Sequence, residues 1–233
     1  MTSAEKFKIA NFLDITGDFL GSGYRDEPKD YQFEDTQAKT VPVKTDEDSI
    51  EKIAGEIRAC KDCALCEKRL NAAPGEGVLQ PVVLVIGEGP GEDEDKQGRP
   101  FVGRAGQLLD KMLASIGLSR ETNCFIANVV KCRPPGNRDP RPEETAACAR
   151  FLERQVLILK PRFILIAGKV AAHTLLKTSD SIGKTRGKFF ELTFGDFTIP
   201  VIATYHPAAL LRSEEYKRPA WEDLKMLKLK IDG

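Results

Sequence analysis

The sequence predicts a three-layer α/β/α domain on a central, mostly parallel four-stranded sheet with a small hairpin. Three observations carry that prediction. Short runs of consecutive apolar residues recur along the chain, as in strands buried on both faces. Between them lie segments whose apolar residues repeat at helical spacing. The two kinds of segment alternate, the order that lays helices over a parallel sheet.

The folded part is expected to start near Ser49, a residue suited to cap a helix. Ile50, Ile53, Ala54 and Ile57 follow at helical spacing up to Cys60. Val82-Val83-Leu84-Val85-Ile86, closed by Gly87, reads as a first buried strand. Ala105, Leu108, Leu109, Met112, Leu113 and Ile116 share one helical face that Gly117 ends. Phe125 to Val130 is a second strand. Pro142 suits the first turn of a helix running to about Leu159, with Cys148 on the same inner side as Phe151 and Leu152.

Phe163 to Ala167 is a third strand, followed by Gly168 and a helix through Leu176. Phe189 to Phe194 and Phe197 to Thr204, split by Gly195-Asp196, form a hairpin whose second arm joins the sheet. Ala220, Leu224, Leu227 and Ile231 mark a closing helix. In such sheets ligands bind beyond the carboxyl ends of the strands. The loops after the first two strands and His206 after the last all fall there.

The chain of 233 residues is long enough for one domain with appendages, here residues 49–233. Residues 21–48 are polar, lack periodicity and read as a disordered linker. Residues 1–20 carry Phe7, Ile9, Phe12, Leu13, Phe19 and Leu20, which suit a short helix, either docked loosely on the core or serving as a motif for a protein partner. Acids exceed bases over residues 1–50, so the overall net charge of zero hides a mild basic excess beyond them. No secretory signal and no membrane-length apolar stretch is present. A soluble, reducing compartment follows, where thiols serve as ligands more often than as disulfides.

Cys60, Cys63, Cys132 and Cys148 are spaced as C-x2-C, a long gap, then C-x15-C. Thiols so far apart share a ligand set only if the fold brings two segments together, as an iron–sulfur or metal clasp does. The spacing does not distinguish iron–sulfur from zinc. The clasped segments adjoin the two loops GEGPGEDEDKQGRPFVG (87–103) and NVVKCRPPGNRDPRP (128–142).

Gly87, Gly89 and Gly91 fall short of a dinucleotide fingerprint, because Glu92 stands where a third spaced glycine is needed. Pro90 and the following acids would also repel a pyrophosphate. Glycines there suit close backbone approach to a flat, neutral ligand, or simply a solvated acidic turn. Phe101 is either a core plug or a stacking platform. Asn128 either satisfies backbone groups or reads a ligand edge. His206 is either a capped buried imidazole or a donor to developing negative charge. Three basic groups, Lys131 with Arg133, Arg138 and Arg141, then Lys184 with Arg186 and Lys188, then Arg212 with Lys217 and Arg218, suit phosphate contacts or ordinary surface.

GEGPGEDEDKQGRPFVG, NVVKCRPPGNRDPRPEETAAC and HPAALLR, in that order behind C-x2-C, closely resemble the family-4 uracil-DNA glycosylases from about residue 50 to the C-terminus. The resemblance implies a DNA repair enzyme that flips uracil out of DNA and hydrolyses its N-glycosidic bond. It implies a structural [4Fe–4S] cluster on Cys60, Cys63, Cys132 and Cys148, leaving Cys66 and Cys124 spare. Phe101 matches the ring that stacks on uracil and Asn128 the amide that reads its edge. Gly87 lies against the base, Glu88 near the attacking water, and Glu94 near C5. His206 matches the histidine facing O2, and Leu210 to Arg212 the loop that probes the duplex. Gly89 departs from the alanine usual in the family.

The same resemblance implies a monomer acting on uracil-containing DNA in a prokaryotic cytoplasm, close to the nucleoid and not on a membrane. Two other readings stand beside it. One is a non-catalytic iron–sulfur or zinc protein that binds single-stranded or damaged DNA. The other is a relative that stays covalently attached to uracil-DNA, which the CRPPGNR pattern after Asn128 argues against.

Overall fold

A computed structural model describes residues 48–233. The helix expected over 1–20 and the linker over 21–48 lie outside the described residues, apart from Asp48. That residue is tied down: both of its carboxylate oxygens accept from Arg154, at 2.7 and 2.6 Å.

The described residues open with α1 (Ile50–Ala59), whose N-cap Ser49 accepts from the backbone of Lys52. The two-residue strand β1 (Glu76–Gly77) and the buried strand β2 (Val83–Gly87) follow. Next come α2 (Glu92–Gln97), α3 (Arg104–Ala114) and β3 (Cys124–Asn128). The long α4 (Pro142–Leu159) has proline in its first turn, where its missing N–H costs nothing. Then β4 (Phe163–Ala167), α5 (Lys169–Leu176) and α6 (Ile182–Thr185) lead to the hairpin β5 (Phe189–Phe194) and β6 (Phe197–Thr204). The chain closes with α7 (Pro207–Arg212) and α8 (Lys217–Asp232).

These strands form one six-stranded sheet in the order β1-β3-β2-β4-β6-β5. The inner four, β3, β2, β4 and β6, run parallel. The edge strands β1 and β5 run antiparallel to their neighbours. The expected four parallel strands and hairpin are therefore present, and β1 is an addition. With only two residues it carries no apolar pattern for a sequence reading to find.

Each face of the sheet is buried under helices. Val83, Val85, Ile126, Leu165 and Ile202 pack against Leu109 and Leu113 of α3 and Leu224 and Leu227 of α8. Leu84, Ile86, Phe125, Ile164 and Val201 pack against Leu152 and Val156 of α4 and Ala171 and Ala172 of α5. Adjacent residues on a strand point to opposite faces, so a strand buried on both sides must be apolar throughout. A third cluster joins Ile53 and Ile57 of α1 to Val130, Cys132 and Phe151.

The chain leaves β2 for β3 on one side and later reaches β4 on the other. Connections therefore diverge above the carboxyl end of β2, the place where open α/β sheets bind ligands. Gly87 and Asn128 end two of these strands, and Gly168 and His206 follow the ends of β4 and β6.

Candidate active site and thiol pocket

A cleft of about 520 Å³ opens at these strand ends. Glu88, Glu94, Phe101, Asn128, His206 and Arg212 all line it. Side chains up to 124 residues apart in sequence thus meet at one place.

Its floor is set by close approach. A Cβ on Gly87 would lie 2.5 Å from the Asn128 amide oxygen and 2.5 Å from the edge of the Phe101 ring. Only glycine lets those two side chains meet across the end of β2. The rings of Phe101 and His206 stack with centroids 5.5 Å apart and planes 30° apart. Asn128 is buried, and its Oδ1 has no hydrogen-bond partner. A buried acceptor left unpaired is costly, and native folds keep few of them except where a ligand completes the pairing. Of the two readings open for Asn128, this geometry favours the ligand-facing one.

His206 caps α7: its Nδ1 accepts from the backbone N–H of Ala208 at 3.1 Å. An accepting Nδ1 is unprotonated, so the neutral ring carries its proton on Nε2. Burial pushes the imidazole down to about 4, the nearby Arg212 guanidinium acts the same way, and Glu94 opposes both. The ring is therefore neutral at physiological pH. Gly168 at φ 98° gives it room, since a Cβ there would stand 2.8 Å from His206 Cβ.

Glu88 follows β2, and its carboxyl is pushed up to about 7, first by burial and then by the Asp139 carboxylate. Asp139 also lines the cleft. Nothing in the pattern of the sequence marked it, because its effect on Glu88 depends on the fold of the β3–α4 loop.

Glu94 serves the loops directly. Its Oε1 accepts from the backbone of Val102 and Gly103, both at 2.8 Å, and its Oε2 from Gly91 at 3.1 Å. The acidic run is thus the first turn of α2, where carboxylates are favoured by the helix dipole; Glu92 and Asp93 are exposed to solvent, whereas Asp95 is buried. Arg120 holds the same loop from beneath, donating to the carbonyls of Pro100 at 3.1 Å and Phe101 at 2.8 Å. Sequence reasoning missed it, as a lone arginine nineteen positions from its partner leaves no pattern.

The α7 segment corrects one expectation. Leu210 is buried at 3% exposure and is not presented at the surface where a duplex would bind. The exposed apolar side chain is Leu211, at 45%. The one-residue shift follows from the helical turn that α7 makes after Pro207, which faces Leu210 inward.

Three members of the basic runs are tied up within the fold, while Arg141, Lys184, Lys188, Lys217 and Arg218 are exposed. Lys131 is fully buried, with Nζ donating to Gln155 Oε1 at 2.7 Å. Arg138 forks onto Glu144 at 2.8 and 2.6 Å, and Glu144 caps the backbone of Arg141. Arg186 forks onto Asp223 at 2.8 and 2.6 Å. These charges brace loops from within. Arg212 stays at the cleft.

Cys60, Cys63, Cys132 and Cys148 line one pocket between α1 and α4. Cys66, expected to be spare, lines it too, whereas Cys124 lies apart in the sheet core. None of the six is in a disulfide. Among the described residues, no three His, Cys, Asp or Glu side chains close on a point small enough for one ion. Arg69 donates from Nη1 to Cys132 Sγ at 2.8 Å. Backbone N–H groups of Leu65 and Lys131 are directed to the sulfurs of Cys63 and Cys148. Donors aimed at several sulfurs suit thiolates that hold a charged group. No helix among the described residues is long and apolar enough to cross a membrane.

Comparison with known proteins agrees with this geometry. Residues 74–225 match the model of the uracil DNA glycosylase superfamily. The chain is 44% identical over 186 residues to the type-4 uracil-DNA glycosylase of Sulfurisphaera tokodaii, covering 78% of this chain and 84% of that one. It is 44% identical over 187 residues to that of Thermotoga maritima, covering 79% and 95%. It is 41% identical over 184 residues to that of Archaeoglobus fulgidus, covering 77% and 92%. Residues 74–225 hold every cleft residue named above together with Cys132 and Cys148, and the chain belongs to the type-4 branch of the uracil DNA glycosylase superfamily.

Proposed function

We propose that this chain is a DNA repair enzyme that flips uracil out of DNA and hydrolyses its N-glycosidic bond, releasing free uracil and leaving an abasic site for base excision repair. The observation that carries the reading is the unpaired, buried Asn128 oxygen beside the Phe101–His206 stack. A flat ring with one donor and acceptors on its edges fits such a floor.

Extruding the base costs a few kcal/mol, and stacking on an aromatic ring returns about 1–3 kcal/mol. Asn128 accepts from uracil N3–H and donates to O4. Cytosine presents the reverse pattern at both positions and would leave the buried amide unpaired. When the C1′–N1 bond breaks, its electron pair leaves with the base. The Nε2–H of neutral His206 donates to O2 of the resulting anion, a contribution of roughly 3–4 kcal/mol in a dry site. Ionised Glu88 offsets the cationic sugar and orients the water whose oxygen bonds C1′, and the proton that this water loses neutralises the uracil anion. Glu94 holds the loops that carry Phe101 and closes the side of the pocket near C5.

The thiol set fits an iron–sulfur group: four sulfurs line one pocket, with N–H donors aimed at three of them. Cys60, Cys63, Cys132 and Cys148 would hold a [4Fe–4S] cluster. When bound it would serve as an inorganic cross-link between the end of α1 and the loop that carries Asn128. Cys66 stays outside that set in this reading, although it shares the pocket.

The test is base release from oligonucleotides carrying uracil, cytosine or thymine, with Asn128→Ala and His206→Ala beside the parent. Free uracil from the uracil strand alone, with both variants at least about 100-fold slower, is expected. No release from iron-replete parent protein would overturn the reading. Iron content and visible absorbance separate a cluster from zinc.

A further inference from the structure

We propose that Arg69 and Lys131 are the cations that balance the charge of the thiolate-held cluster and set its reduction potential. Arg69 acts through its hydrogen bond to the Cys132 sulfur, and Lys131 through a buried ammonium beside Cys148. This rests on the reading of the thiol pocket as a cluster site.

The molecule supplies its own standard for what a partly buried cation needs. Arg154 has Asp48 and Glu56, Arg186 has Asp223, Arg138 has Glu144, and Arg120 has Asp110 and Glu76. In each case a carboxylate answers the guanidinium. Arg69 and Lys131 break that pattern.

Lys131 is 1% exposed, and its ammonium donates to the neutral amide oxygen of Gln155. Gln155 in turn is held by the carbonyl of Pro74 at 2.9 Å. Among the described residues no carboxylate forms an ion pair with Lys131. An ammonium buried without a counter-charge is strongly disfavoured, so a fold that keeps one has an anion for it. Lys131 lines the thiol pocket, and its backbone N–H faces the Cys148 sulfur.

Arg69 lines the same pocket from the opposite strand of chain. Its Nη2 donates to the carbonyls of Arg58 at 2.6 Å and Cys60 at 3.0 Å, while its Nη1 reaches Cys132 Sγ. One rigid fork therefore spans both halves of the ligand set. Four thiolates around a doubly positive iron–sulfur core leave a net double negative charge, and these two cations are opposite to it in sign and equal in number. Positive charge and N–H···S bonds favour the more negative, reduced state of such a centre and raise its potential.

The experiment uses the full chain, purified without air, as parent, Arg69→Met, Arg69→Lys and Lys131→Met. Iron content, visible absorbance and midpoint potential are measured for each. Arg69→Met and Lys131→Met are expected to weaken the preference for the reduced state about tenfold each, a negative shift of about 59 mV for one electron. Arg69→Lys, which keeps the charge, should recover most of that shift. Unchanged potentials in Met variants that retain iron would overturn the inference while leaving the cluster intact. Should Lys131→Met fail to fold, the Arg69 pair decides it. Iron-free parent protein would overturn the cluster reading, and this inference with it.

Discussion

Arg120 donates from Nη2 to the carbonyl oxygen of Phe101 at 2.8 Å, and Phe101 stands at φ 52°. A bulky residue in the left-handed region is strained by about 1–3 kcal/mol, and something must hold it. Arg120 does so from one side, braced by Asp110 at 2.8 Å. The first turn of α3 does so from the other, where a Cβ on Gly106 would stand 1.9 Å from the same carbonyl oxygen. The ring that we propose stacks on the base is thus aimed by Arg120 and Gly106, which do not line the cleft.

Removing that support should misplace Phe101 without unfolding the sheet. Arg120→Ala is expected to lower kcat/KM for uracil release by roughly 10–100-fold, mostly through KM. Steady-state kinetics beside a thermal melt would check it. A rate equal to that of the parent would show that Phe101 keeps its aim unaided.

Gly87→Ala tests the floor of the cleft. The new methyl would meet the Asn128 oxygen and the Phe101 ring, both at 2.5 Å, inside any real contact distance. The smallest possible change in a side chain should therefore abolish uracil release while leaving the fold cooperative. Retained activity would mean that the two side chains do not need to meet.

Glu88 and His206 set the pH dependence. In the proposed mechanism Glu88 is ionised, and its carboxyl sits at about 7; His206 is neutral, and its imidazole sits at about 4. kcat/KM should rise about tenfold per pH unit below 7 and level off above it, with no descending limb from His206 in that range. Glu88 also carries a stability signature. Its folded pKa lies above the ordinary value of 4.5, so the contribution is fully present below 4.5 and is lost as pH rises through 7. Glu88→Gln should thus be slow at every pH yet gain melting temperature over the parent at pH 8 relative to pH 5.

How much of this was legible in the sequence depended on whether the cause was local. Ser49 and Pro142 start their helices through contacts within one turn, and both starts were readable. The buried strands were readable because burial on both faces leaves an unbroken apolar run. The helix α2 was not, since four of its six residues are acidic and it forms by capping through Glu94 and a left-handed Gly98. Phe101, Asn128 and His206 were each visible as candidates, but their meeting depends on strand order, which no spacing encodes. Lys131 and Arg138 misled because a run of charge reads the same whether it faces solvent or braces a loop. Gly89 was a visible departure, and a Cβ there would press on Val130 Cγ2 at 2.7 Å, beside the thiol loop.

Leu210 and Leu211 separate packing from function at adjacent positions. Leu210 is buried, so Leu210→Ala should cost about 2–5 kcal/mol of stability. Leu211 is exposed beside Arg212 at the edge of the cleft, where an apolar side chain can fill the gap left by an extruded base. Leu211→Ala should leave the melting temperature within a degree or two of the parent. It should slow uracil release from duplex DNA about tenfold and from single strands hardly at all, because only the duplex has a stack to reseal. An equal loss on both substrates would assign Leu211 to general DNA affinity, and no loss on either would remove it from the interface.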